Sequence, residues 1–148
     1  NEVAAMGGDA AAGHFTSAPY FQVWDSPENH KFVDAYRSRW GADKVTHFVS
    51  EPCYFQVKMF AEACSKLAAS DINPNNIREA VKGVEMMAPQ GKGRLDGPTL
   101  HTYLWPKIGV CKSDGQFEIL KQSPTWLAPV PYKAYENQIC TEQGLQES

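Results

Sequence analysis

Met87-Ala88-Pro89-Gln90-Gly91, followed by Asp96, His101-Thr102-Tyr103-Leu104 and Asp114-Gly115-Gln116-Phe117-Glu118-Ile119-Leu120, decides how this chain is read. After Gly83 the helical spacing of apolar residues gives way to short runs. Gly91 to Asp96, Thr99 to Trp105, Lys107 to Cys111 and Gln116 to Leu120 are predicted as strands. Asp114-Gly115 predicts a tight hairpin, because both central positions of such a turn favour positive φ. From Gln122 on, Pro124, Pro129 and Pro131 punctuate an irregular tail with Trp126, Tyr132 and Tyr135, and the polar stretch Thr141 to Ser148 is expected to fray.

Upstream of Gly83 the pattern is helical. Ala11 to Thr16 reads as a short strand that ends at Pro19, which has no N–H to donate to a ladder. Ser26-Pro27 predicts a helix start, with Ser as cap and Pro in the first helical position. Phe32, Val33, Tyr36 and Trp40 follow at helical spacing and Gly41 supplies the stop. Val45 to Val49 reads as a short strand. Ser50 is expected to cap a second helix with Pro52 in its first turn and Glu51 set against the helix dipole. The apolar set of that helix (Tyr54, Phe55, Val57, Phe60, Ala61, Cys64, Leu67, Ala68) is wide, which predicts burial on more than one side. Asn73-Pro74 starts a third, shorter helix carrying Ile77, Ala80 and Val81.

Composition narrows the classes. At 148 residues the chain has about one domain's worth of sequence. Ordinary apolar and charged fractions predict a folded core. With 14 basic against 17 acidic residues and no basic run, nothing suggests nucleic acid as a partner. No apolar stretch reaches the roughly 18 residues of a membrane span. Residues 1–6 lack a basic start with an apolar run, so no signal peptide is visible there. Cys53, Cys64, Cys111 and Cys140 have neither C-x-x-C spacing nor paired histidines, so no metal site and no cofactor are expected. Cys53 and Cys64 are roughly 16 Å apart along one helix, too far for a disulfide. Cys64 reads as a small buried apolar residue, and a Cys111–Cys140 bridge stays open. This cysteine usage leans toward a reducing compartment.

Six elements, in order, resemble one family. They are Gly13-His14-Phe15-Thr16-Ser17-Ala18-Pro19-Tyr20-Phe21, Asp25-Ser26-Pro27-Glu28-Asn29 with Phe32, Tyr36 and Trp40, Glu51-Pro52-Cys53-Tyr54-Phe55, the Ala-Pro-Gln-Gly element at 88–91, the Asp-Gly-Gln-Phe-Glu hairpin at 114–118, and Ser123-Pro124 with Pro129-Val130-Pro131-Tyr132. Together they resemble the C-terminal portion of a type I periplasmic-binding-protein fold receptor, in the amide/urea-binding branch. The resemblance implies an α/β partial fold: 1–18 as second-lobe strand and hinge, 19–83 as the helix-rich part of the first lobe, 84–132 as a strand-rich part of the second lobe, and 133–148 as a tail. It implies binding of a small polar ligand (amide, urea or amino acid) by lobe closure, without bond chemistry. The partner would be the permease of an ABC transporter, with a periplasmic location. The alternative is a cytoplasmic amide sensor acting on an antiterminator in an amidase operon. The first lobe's initial βαβ units and half of the second lobe are not in this sequence. Phe32, Tyr36, Phe55 and Phe60 would then face a missing sheet, and the chain alone is expected to self-associate as a homo-oligomer.

A small polar ligand needs a few convergent hydrogen-bond partners, since an unpaired buried group costs about 1–3 kcal/mol. Four residues are candidates for the ligand: Ser17, Tyr20, Glu51 and Tyr54. Each has a plainer reading. Ser17 can bond local backbone in a turn, Tyr20 and Tyr54 can pack near helix starts, and Glu51 can serve its helix N-terminus. His14 and His101 read as structural histidines. An enzyme would use Cys53 or a carboxylate pair such as Asp25 and Glu51, and would lose turnover in Cys53→Ala. No Ser/His/Asp set is spaced for catalysis. Gly91-x-Gly93 lacks the following helix of a phosphate loop. No catalytic residue is therefore assigned.

Overall fold

The structure, a computed structural model, describes residues 2–130. In chain order these form α1 (Glu2–Met6), α2 (Gly8–Ala11), β1 (Phe15–Ala18), α3 (Pro27–Trp40), α4 (Ser50–Ser65), a 3₁₀ turn (Ala69–Asp71), α5 (Pro74–Val81), β2 (Glu85–Ala88), β3 (Gly91–Leu95), β4 (Thr102–Tyr103), β5 (Lys107–Cys111) and β6 (Phe117–Gln122). The architecture is mixed α/β, as expected. The Cys111–Cys140 bridge, Tyr132, Tyr135 and the 133–148 tail lie outside the described residues.

Local signals explain most boundaries. The Ser26 hydroxyl accepts from the Asn29 amide at 3.2 Å and Pro27 opens α3; the Gly41 N–H donates to Arg37 O at its end. Asn73 caps α5 by accepting from the amides of Asn75 and Asn76. Gly115 has φ 77° in the β5–β6 turn, where Asp114 Oδ1 accepts from the Gln116 amide at 2.9 Å; Asp114 does not share the positive φ expected of both positions, and the Lys112 amide closes a longer turn on Gln116 O.

Four expectations shift. The strand read at 11–16 forms instead at 15–18. Residues 8–11 are helical, and the Ala11 carbonyl accepts from the His14 amide. Val45–Val49 forms no strand, because the Thr46 amide is taken by Gln22 Oε1 at 2.7 Å and is lost to any ladder. Ser50 does not cap α4: its hydroxyl turns back, accepting from His47 N and donating to His47 O. The strand read at Thr99–Trp105 shrinks to Thr102–Tyr103, since Asp96 accepts from both the amide and the hydroxyl of Thr99 and folds 96–101 into a turn.

Among the described residues the strands form two antiparallel sheets. β1-β5-β6 is one, with Ala18 opposite Lys107 and Cys111 opposite Phe117. β2-β3-β4 is the other, and α4 packs on it. Phe55 and Met59 of α4 pack with Val84 and Ala88, flanked by Val81, Met86 and Leu95. A second cluster joins Tyr20 to Phe32 and Val33 of α3. The tight β2–β3 turn at Pro89-Gln90 points back at α4, which buries Ala88, Pro89 and Gln90 and leaves Met87 exposed.

Burial of α4 is narrower than expected. Glu51, Phe55, Met59 and Ala63 form a single buried row at i+4 spacing. Val57 and Phe60 are 68% and 53% exposed, Cys53 and Ala61 are exposed, and Cys64 is only half-buried. The described chain places its own sheet on one side of this helix, so the other apolar side is bare. Phe32 and Phe55, by contrast, are covered by the chain's own residues.

Gly8 sits against the β5–β6 turn, where a Cβ would overlap the Ser113 carbonyl. Backbone cannot swing aside as a side chain can. Gly8→Ala is therefore expected to cost about 1–3 kcal/mol, read as a lower urea midpoint at unchanged slope.

Candidate functional site

A cleft of 740 Å³ opens between β1 with its exit (15–22), the 45–48 loop and the β5–β6 turn. The side chain of Ser17 is exposed on β1 and lines this cleft. Tyr20 lines it as well, but its hydroxyl lies 2.6 Å from Thr46 Oγ1. Burial holds the Tyr20 phenol well above its ordinary range, partly offset by that hydrogen bond, so it stays neutral. The Thr46 amide and hydroxyl both donate to Gln22 Oε1, at 2.7 and 3.2 Å. Tyr20, Gln22 and Thr46 thus clasp the 45–48 loop to the exit of β1 and fix the cleft's width. Phe15 and Phe48 line it while 70% and 54% exposed, and Phe117 meets Phe21 in a tilted pair with ring centres 5.3 Å apart. His14 also lines the cleft, with Nδ1 3.0 Å from the Ala11 carbonyl; His101 Nδ1 lies 3.0 Å from the Thr99 carbonyl, away from it.

Glu51 and Tyr54 lie off the cleft wall. Tyr54 belongs to both apolar clusters, with its ring 4.7 Å from that of Phe32 and the Lys58 ammonium 4.5 Å from its face. Asp25 does not meet Glu51; its carboxylate lies 3.2 Å from His30 Nε2 at the surface. Cys53 is exposed on α4.

Glu51 is completely buried and faces the β2–β3 turn. Its two oxygens accept from the amide and the side-chain Nε2 of Gln90, at 3.4 and 3.3 Å. On the other side of that turn, the buried Lys107 ammonium donates to the carbonyls of Gln90 (2.7 Å), Pro19 (2.9 Å) and Trp105 (3.2 Å). It also lies 4.4 Å from the centre of the Trp24 ring. Burial pushes the Glu51 carboxyl up to about 7, against the opposing pull of Gln90 and Lys107. Burial pulls the Lys107 ammonium down to about 8, with Glu51 acting the other way. Sequence reasoning passed over Gln90, Thr46, Gln22 and Lys107. Strand alternation held one usable signal: Lys107 shares a face with Gly109 and Cys111, and that face is the buried one.

Two sheets, the connections running between them and an open cleft beside those connections make up the described fold. The chain belongs to the family of the Periplasmic binding protein domain, whose pattern matches residues 1–138. A Geobacillus stearothermophilus protein named limonene hydroxylase is 32% identical over 142 residues, which cover 96% of this chain and 25% of that protein. The solute-binding protein of an ABC transporter from Rhodopseudomonas palustris BisB5, solved with 3,4-dihydroxybenzoic acid, superposes with a TM-score of 0.72 at 24% identity, covering 82% of this chain and 33% of that one. A benzoate-bound solute-binding protein from R. palustris gives a TM-score of 0.75 at 16% identity, over 86% of this chain and 34% of that one. The chain thus spans about a quarter of the curated relative and a third of these solved proteins.

Proposed function

We propose that this polypeptide is the C-terminal portion of a solute-binding protein serving an ABC transporter in the periplasm. In this reading it holds a small organic solute by lobe closure and carries out no bond chemistry. The observation that carries the reading is the 740 Å³ cleft at the exit of β1, in a chain of the periplasmic-binding-protein family. Closure over such a cleft excludes water and strengthens each polar contact inside. Ser17, Gln22 and His47 supply polar groups to its wall, which suits an amide, urea or amino-acid head. Phe15 and Phe48 add apolar surface, so an aromatic carboxylate belongs in the same test.

Calorimetry on the full-length gene product with acetamide, urea, leucine and benzoate tests this. Saturable binding of one of them, at a dissociation constant of about 1 μM or tighter, is the expected result. If the full-length product takes up none of the four, the solute-binding reading fails.

A second reading applies to the 148-residue polypeptide taken alone. The bare stripe of Cys53, Val57, Phe60 and Ala61 on α4 favours self-association rather than ligand binding.

A further inference from the structure

We propose that Lys107 is a positioning residue for solute binding: its ammonium sets the angle between the two sheets and holds the exit of β1, which lines the cleft. Four segments meet at this one cation. Lys107 opens β5 in the first sheet, opposite Ala18 at the end of β1. Its side chain does not stay with that sheet. It reaches to Gln90, in the β2–β3 turn of the second sheet, and on the way gathers Pro19 and Trp105, which lie in the two connections between the sheets. All three ammonium protons are taken by carbonyls at 2.7 to 3.2 Å, and the Trp24 ring centre lies 4.4 Å from the same nitrogen.

The geometry makes this cation a pin rather than a ligand group. It is 1% exposed and is absent from the cleft wall, so no solute reaches it. Yet Pro19, whose carbonyl it holds, stands between Ala18 and Tyr20, which line the cleft. The far end of the tie is anchored as well, since Gln90 is held through its amide and its side chain by Glu51 of α4. A swing of one sheet against the other must stretch at least one of these bonds. Buried hydrogen bonds to a charged group are stronger than those between neutral groups, and three of them converging on one atom favour one angle among several.

The test uses the full-length protein, with spin labels introduced as unnatural amino acids at Gln56 on α4 and Glu118 on β6, both exposed. Lys107→Met is expected to broaden the label-to-label distance distribution of the solute-free protein. Affinity for a solute that binds the parent should fall about tenfold if one molecule in ten keeps the competent angle. A distribution superimposable on the parent's overturns the proposal. Should Lys107→Met fail to fold, Lys107→Arg decides. A planar guanidinium cannot bring three donors onto one converging point, so a shifted mean distance is expected, and an unshifted one overturns the pin. The affinity arm rests on the solute-binding reading; the distance arm does not, so failure of either is told apart from failure of the other.

Discussion

Glu51→Gln is expected to stabilise the full-length protein at pH 8 and to leave its stability nearly unchanged at pH 4. The carboxyl titrates at about 7 in the folded protein because burial disfavours its charge, against an ordinary value of 4.5. Below pH 4.5 the group is protonated in both folded and unfolded states and adds no pH dependence. Between 4.5 and about 7 the unfolded chain releases the proton while the folded protein retains it, so stability falls as pH rises. Above that window the burden is complete, on the order of 3 kcal/mol. Glutamine keeps an oxygen for the Gln90 amide and carries no charge to bury. Urea unfolding at the two pH values reads the difference: a gain of more than about 1 kcal/mol at pH 8 supports this account, and a loss there refutes it. Lys107 bends the profile the other way. Its depressed value of about 8 means that its contribution is present above 10.5 and is lost as pH falls through 8. The two groups together place a stability minimum between about pH 7 and 8.

The 148-residue polypeptide produced alone is expected to self-associate, with a light-scattering mass of at least twice its 16.4 kDa at about 100 μM. Val57 and Phe60 stand bare on α4, and covering each is worth about 1.5–3 kcal/mol. Replacing both with lysine should return the polypeptide to a monomer. In the full-length product the same pair of lysines is expected to abolish folding, because a buried unpaired ammonium costs several kcal/mol. A clean monomer of the unsubstituted polypeptide, together with a full-length product that tolerates both lysines, would mean that this face was never built to be covered.

Several elements could be read directly from the chain. Ser26-Pro27 and Asn73-Pro74 start helices here because a side-chain acceptor and a fixed φ act within one turn. Asp114-Gly115 makes its hairpin for the same local reason. Val45–Val49 could not be read, although its β-branched residues suit a strand, because Gln22, more than twenty positions away, claims the Thr46 amide. Ser17 and Tyr20, read from the chain either as ligand contacts or as turn and packing residues, both line the cleft, and Tyr20 is buried with its hydroxyl on Thr46. Glu51 was singled out for a ligand, yet the fold turns it inward onto Gln90.

By itself, then, the order of short motifs pointed to the family, and local chemistry set the starts of α3 and α5 and the hairpin at Asp114-Gly115, since each of these starts and turns depends on neighbours a few residues apart. The tertiary structure alone decided which sheet each strand joins, which side of α4 stays bare, and that a lysine at 107 and a glutamate at 51 are buried on either side of one turn. Those outcomes depend on desolvation and on carbonyls brought in from distant segments, and neither is written in any local stretch of the chain.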